Sequence, residues 1–218
     1  MRSCACLLAV MLAVGALAAP VAKPIGNEVW LNHLLPLPKQ VKIEGVVTVR
    51  AAAVAVRTAA NATDVELQAA KEIEAALAGT PPIPPASAGA TSAPPPAPPA
   101  TGGGTAAAGP GKVKPQFEIT LGRCDEKGRL EGKVIPEAAT LAKKPNSDQA
   151  YCIAPAGKSK LVITALDPKG LYYGALTVAQ LVAAGRAISG PSTVTLPLVR
   201  VVDWPDLSER GVWGGYAV

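Results

Sequence analysis

Residues 161–213 read LVITALDPKGLYYGALTVAQLVAAGRAISGPSTVTLPLVRVVDWPDLSERGVW, and this stretch decides the fold. Its opening apolar run, LVITAL, is rich in β-branched residues and predicts a strand. Asp167 follows as a helix N-cap, and Pro168 suits the first helical position because no backbone N–H is required there. The stretch therefore predicts a strand, a helix that Gly185 ends, a strand over 198–202 and an Asp-Trp-Pro corner.

The predicted helix is amphipathic, with apolar residues recurring at helical spacing along one face. This stripe comprises Leu171, Ala175, Val178, Ala179 and Val182. Gly170 and Gly174 lie outside any strand-turn Gly-x-Gly-x-x-Gly context, so they are weak candidates for a phosphate-binding loop. We expect them to permit close packing of the helix on the sheet instead.

A second amphipathic helix is predicted nearer the N-terminus. Thr63 suits its N-cap, and Glu66 three residues later completes a capping box. Gly79 suits its C-terminal end. The predicted buried face comprises Val65, Ala69, Ile73 and Leu77.

Short β-branched or alternating runs predict the remaining strands. These runs lie at 46–49, 54–56, 116–121 and 151–153. Residues 122–146 are polar and are predicted to form a loop, whereas 156–158 suit a hairpin turn. Short links between strands favour antiparallel pairing. We therefore predict an α+β domain, with an antiparallel or mixed sheet and two helices packed on one of its faces.

The N-terminus has the features of a secretory signal peptide over residues 1–18. Arg2 supplies positive charge, the apolar run over 7–17 is too short to span a bilayer, and Ala16 and Ala18 suit a cleavage site. A secreted or periplasmic protein is therefore expected. No later stretch is apolar and long enough to predict a transmembrane helix.

Composition divides the rest of the chain. Residues 79–112 hold many of the 22 prolines together with Gly, Ala and Ser, and they predict a disordered linker because they offer no core. The linker separates two parts of one α+β domain, 35–78 and 113–205. Residues 206–218 are then expected to begin a further structural unit.

Charge and composition exclude several classes of function. The net charge is +5, but the basic residues are scattered and form no stripe with aromatic residues, so nucleic-acid binding is not expected. His33 is the only histidine. With Cys124 and Cys152 it matches no zinc-ligand spacing, so a metal site is not predicted. In an oxidising compartment the two cysteines either form a disulfide or serve as independent core residues, and both interpretations stay open.

The order of motifs resembles the end of the non-catalytic N-terminal domain of glycoside hydrolase family 20, the β-N-acetylhexosaminidases. The resemblance covers roughly residues 35–213, interrupted by the linker. The matching residues are Asp167, Gly170, Tyr173, Gly174, Thr177, Gln180, Leu181, Asp203, Pro205, Arg210 and Gly211. It implies an α+β sandwich followed by a catalytic barrel, and it implies that Arg210 hydrogen-bonds sugar hydroxyls at the start of that barrel.

The resemblance also implies where the chemistry lies. Family 20 enzymes use substrate assistance and a paired Asp-Glu on a later barrel strand, without a cofactor, to remove terminal N-acetylhexosamine from glycans. Only eight residues follow Arg210, whereas a (β/α)₈ barrel needs about 250 residues. We therefore expect an accessory domain truncated at the start of the barrel, with no catalytic residue of its own. Whether the chain is an enzyme is uncertain from the sequence, and activity of the chain alone is not expected.

Two alternatives stay open. One is a secreted non-enzymatic module that binds a glycan or a partner through its sheet or its tryptophans. The other is the related accessory domain of other glycosidases, such as family 84 or the α-glucuronidases. For the truncated accessory domain, the surface where the barrel would pack predicts self-association, through a patch of Val201, Trp204, Val212 and Trp213.

An acidic cluster near the corner has two interpretations. Its members are Asp203, Asp206 and Glu209. Two carboxylates that flank a glycosidic bond can act as acid and base. Turn capping is preferred, because Asp-x-Pro-Asp is typical of turns.

Overall fold

The computed structural model describes residues 26–79 and 115–208. The helices are α1 (Glu28–Leu31), α2 (Asp64–Ala78) and α3 (Pro168–Ser189), and two 3₁₀ turns span Ala51–Ala53 and Ala138–Lys143. The strands are β1 (Gln40–Arg50), β2 (Val54–Thr58), β3 (Phe117–Arg123), β4 (Arg129–Leu130), β5 (Lys133–Val134), β6 (Tyr151–Pro155), β7 (Lys160–Ala165) and β8 (Thr193–Asp203). The predicted signal peptide and all but the first residue of the predicted linker lie outside the described residues.

A six-stranded mixed sheet forms the centre of the domain, in the order β1-β8-β6-β7-β3-β2. β1 and β8 pair antiparallel along their whole length, and β6 pairs antiparallel with both β8 and β7. β2, β3 and β7 run parallel to one another. α2 and α3 pack on the same face over the main core, so the predicted α+β architecture is confirmed.

α3 confirms the predicted N-terminus and apolar stripe. The Asp167 carboxylate accepts the backbone N–H of Lys169, and all five residues of the stripe are buried. The predicted end at Gly185 is wrong, since the helix continues to Ser189 and Gly190 is its C-cap. A Cβ at Gly185 would lie 1.9 Å from the carbonyl oxygen of Thr195 on β8. Gly185 therefore permits close contact between helix and strand rather than ending the helix.

α2 confirms the capping box and its end at Gly79, which adopts φ 96°. The Glu66 carboxylate accepts the Thr63 N–H at 2.6 Å. The predicted burial of Val65 is wrong, because its side chain is 45% exposed. Glu66 occupies the inner position instead, held by the cap and by a 3.0 Å bond from Arg123 Nε to its second oxygen.

The excursion between β3 and β6 is more ordered than the predicted loop over 122–146. It forms the β4–β5 hairpin and the second 3₁₀ turn, and it covers part of the sheet face that the two helices leave open. Leu130 and Leu141 are buried there, and a Cβ at Gly122 would lie 2.6 Å from Leu130 Cδ1. Sequence patterns missed this layer because its few apolar residues follow no period.

Both described cysteines are free thiols, buried in the smaller core beneath this excursion. β7 lies between β6, which carries Cys152, and β3, which Cys124 follows. Two strand spacings are about 10 Å, whereas a disulfide requires Cα atoms within about 7 Å. Burial raises the pKa of both thiols. Of the two interpretations left open by the sequence, the structure therefore favours two independent core residues over a disulfide.

Candidate functional site at the exit corner

The chain leaves the sheet through a corner of residues 203–208, which we call the exit corner. Asp203 ends β8, and its Oδ1 accepts the backbone N–H of Lys39 at 3.1 Å. Lys39 Nζ also forms a 2.7 Å salt bridge with the Asp206 carboxylate. Both described carboxylates of the acidic cluster thus bind Lys39 on a distant segment, which differs from the local turn capping that the sequence predicted, and Glu209 lies outside the described residues.

Trp204 packs against the smaller core and lies near two lysines. The Nζ atom of Lys144 lies 3.9 Å from the ring centroid, and that of Lys39 lies 5.5 Å from it. At these distances a cation is attracted to the electron-rich ring face. The contacts favour a packing role for this tryptophan over stacking on a sugar ring.

A loop before β6 supports the exit corner through two side-chain amides. Asn146 Nδ2 donates a 2.9 Å hydrogen bond to the carbonyl oxygen of Pro205. Gln149 Nε2 donates a 2.8 Å hydrogen bond to the carbonyl oxygen of Ser208. Sequence analysis missed both residues, because a single amide far from its partner carries no local signal.

The segment before β1 supports the corner from another direction. Gln180 on α3 binds both backbone groups of Leu35, accepting from its N–H at 3.0 Å and donating to its carbonyl at 2.9 Å. This segment leaves Leu35 and Leu37 77% and 57% exposed, and Leu207 in the exit corner is 69% exposed. Exposed leucines therefore lie on both of the chain segments that meet at Lys39.

The described residues include two of the four members of the predicted patch, Val201 and Trp204. Val201 is buried, so its predicted place in an exposed surface is wrong. Val212, Trp213 and the proposed sugar ligand Arg210 lie outside the described residues. Over residues 26–79 and 115–208, no group of three His, Cys, Asp or Glu side chains could hold a metal ion. No helix in those ranges is long and apolar enough to cross a membrane.

The family model described as glycosyl hydrolase family 20, domain 2 matches residues 32–204, which is more than half of the chain. The chain belongs to glycosyl hydrolase family 20. The match includes the segment before β1, both long helices and the first two residues of the exit corner. The described residues form an accessory domain of a family 20-like glycoside hydrolase.

Solved structures include similar domains within longer chains. Flavobacterium johnsoniae chitobiase is 16% identical over 86% of this chain and 23% of that chain, with a TM-score of 0.49. The exo β-N-acetylglucosaminidase of Vibrio harveyi, solved with N-acetylglucosamine, is 16% identical over 87% and 22%, with a TM-score of 0.43. CpGH84D is 11% identical over 84% and 26%, with a TM-score of 0.50. This chain thus spans about a quarter of each, and no curated protein matches it.

The comparisons distinguish an accessory domain of family 20 from one of family 84. The likeness to CpGH84D, whose name carries the label of family 84, shows a shared fold and no more. The family 20 model matches the sequence itself. The accessory domain is therefore assigned to family 20.

Proposed function

We propose that this chain supplies the accessory domain of a β-N-acetylhexosaminidase-like enzyme that removes terminal N-acetylhexosamine from glycans. The family 20 match, which ends inside the exit corner at residue 204, carries the proposal. Two similar structures are named as a chitobiase and an exo β-N-acetylglucosaminidase, which supports this substrate class. The domain would hold the start of the next unit at a fixed place.

The described residues suit a scaffold better than a catalytic site. The carboxylates of Asp203 and Asp206 are taken up by contacts to Lys39. The buried Glu66 carboxylate binds the backbone N–H of Thr63 and the side chain of Arg123. Arg210 is our proposed sugar ligand, because a guanidinium can grip two neighbouring hydroxyl oxygens with its fixed fork.

The purified 218-residue chain is expected not to hydrolyse a chromogenic N-acetylglucosaminide above the buffer rate. Stabilising a transition state requires a formed pocket with groups already in place. The positive control is the chitobiase of Flavobacterium johnsoniae under the same conditions. Clear turnover by this chain that disappears in Arg210→Ala would contradict a purely accessory role.

We also propose that the protein is secreted or periplasmic, with residues 1–18 as its signal peptide. The charged start, the short apolar run and the small residues at 16 and 18 support this location. Sequencing the N-terminus of the mature protein would test it, and retention of Met1 after export would contradict it.

A second candidate function, a partner-binding module, is supported by the exposed Leu35, Leu37 and Leu207. Light scattering of the purified chain is expected to show oligomers, because apolar surface on a rigid corner gains free energy when it is covered. Leu37→Ser and Trp213→Ser should each weaken them. Val134→Ser, at an equally exposed valine on β5, is the control. A strictly monomeric chain would remove the argument for an exposed surface that a barrel normally covers.

A further inference from the structure

We propose that Asn146 and Gln149 are positioning residues that clamp the backbone of the exit corner. We further propose that Gly170 on α3 sets the position of the loop that carries them. The inference rests on the accessory role proposed above, since it concerns the direction in which the chain leaves this domain. Its test uses no substrate, so its outcome is independent of enzymatic activity.

Three contacts join the loop and the exit corner in the same order along both segments. Lys144 lies over Trp204, and the two amides of the clamp then bind the carbonyl oxygens of Pro205 and Ser208. The loop therefore follows the corner as it leaves the sheet. Three successive contacts fix a direction, whereas a single one would leave the segment free to pivot.

The two residues of the clamp have special environments: Gln149 is buried, and Asn146 has a left-handed backbone conformation. Gln149 is 4% exposed, so its amide has little access to water and the hydrogen bond to Ser208 satisfies a buried donor. Asn146 adopts φ 49°, a left-handed conformation that asparagine tolerates better than most residues. An exposed carbonyl in a turn can be satisfied by water. The burial of Gln149 and the left-handed backbone of Asn146 therefore indicate that these two residues orient the exit corner.

α3 holds the loop on both sides of Gln149. The N–H of Gly170 donates a 3.1 Å hydrogen bond to the carbonyl of Asp148. A Cβ at Gly170 would lie 2.4 Å from the carbonyl oxygen of Ala150. Any side chain at 170 would therefore displace the peptide between Ala150 and Tyr151, one residue after Gln149. The glycine of the Asp-x-x-Gly motif thus acts on the exit corner through this loop.

Trypsin cleavage of the full chain tests the clamp, because a protease requires several residues around the bond to open locally. The rate of cleavage after Arg210 is compared by mass spectrometry with the rate after Lys158, which is exposed in the β6–β7 turn. The double variant Asn146→Asp/Gln149→Met removes both donors and nearly preserves side-chain size. Losing two hydrogen bonds is expected to speed cleavage after Arg210 roughly tenfold and leave Lys158 unchanged.

Two further variants complete the design. Gly170→Ala should also speed cleavage after Arg210, although both amides remain. Thr140→Val is the matched control, since it removes a hydrogen bond to Glu137 in the same excursion without touching the exit corner. An unchanged rate after Arg210 in the double variant would overturn the proposal. Equal acceleration after Lys158 would also overturn it, because that result indicates general destabilisation. If Gly170→Ala does not fold, the proposal is judged from the cleavage rates of the double variant alone.

Discussion

Replacing Val178 with aspartate is expected to unfold the domain or to lower its free energy of unfolding by about 3–5 kcal/mol. Val178 is 1% exposed on the face of α3 that covers the sheet. An unpaired carboxylate there would lose its hydration without gaining a partner. A typical domain has only about 5–15 kcal/mol of stability, so the loss would be a large fraction of the total.

Urea unfolding followed by tryptophan fluorescence measures this effect, and Val65→Asp provides the matched control. Val65 is exposed in the first turn of α2, where a negative charge interacts favourably with the helix dipole. Its substitution should change stability by no more than about 0.5 kcal/mol. A soluble Val178→Asp variant with an unchanged unfolding curve would show that the buried face of α3 is wrongly assigned.

Gly185→Ala is expected to destabilise the domain by about 3 kcal/mol, although alanine favours a helix by about 1 kcal/mol over glycine. The new methyl group would lie 1.9 Å from the carbonyl oxygen of Thr195, a backbone atom that cannot rotate away. Thr195 is also fixed by a 2.8 Å hydrogen bond between its hydroxyl and that of Thr48 on β1. Relief of the clash would therefore separate α3 from β8.

The thermal midpoint measures this second effect, with an expected fall of about 10 °C. Gly45→Ala is the control, because its Cβ would lie 3.9 Å from Leu198 Cδ1, which is ordinary van der Waals contact. The control should leave the midpoint nearly unchanged. A Gly185→Ala variant more stable than the natural protein would mean that α3 does not approach β8 as closely as described.

The type and order of the main elements could be predicted from sequence because the signals are local. The capping box of α2, the N-cap of α3 and the alternation in β3 each fall within a few residues. Gly185 was misassigned because a glycine near the end of a periodic run suits either a helix end or a close contact. Only the position of Thr195 decides between them, and tertiary packing sets that position.

In the candidate site, too, local features could be predicted from the sequence and long-range contacts could not. Local turn chemistry predicted the Asp-x-Pro-Asp corner itself, but it did not predict what Asp203 binds. Its partner Lys39 is 164 residues away, and the amide of Gln149 binds a carbonyl 59 residues away. Each of these partners is a single polar residue without periodicity. Their pairing depends on the sheet order, which a single sequence does not contain.

The pairing of β1 with β8 has a consequence for how such a domain is accommodated in a longer polypeptide. Gln40 at the start of β1 faces Val202 near the end of β8, and Lys39 is bonded to Asp203 beside them. The chain thus arrives and departs at neighbouring points. A unit with adjacent ends can be inserted, exchanged or lost with little change in the distance between its flanking segments. The described residues thus have the end geometry of a unit that can be added to another domain without lengthening it.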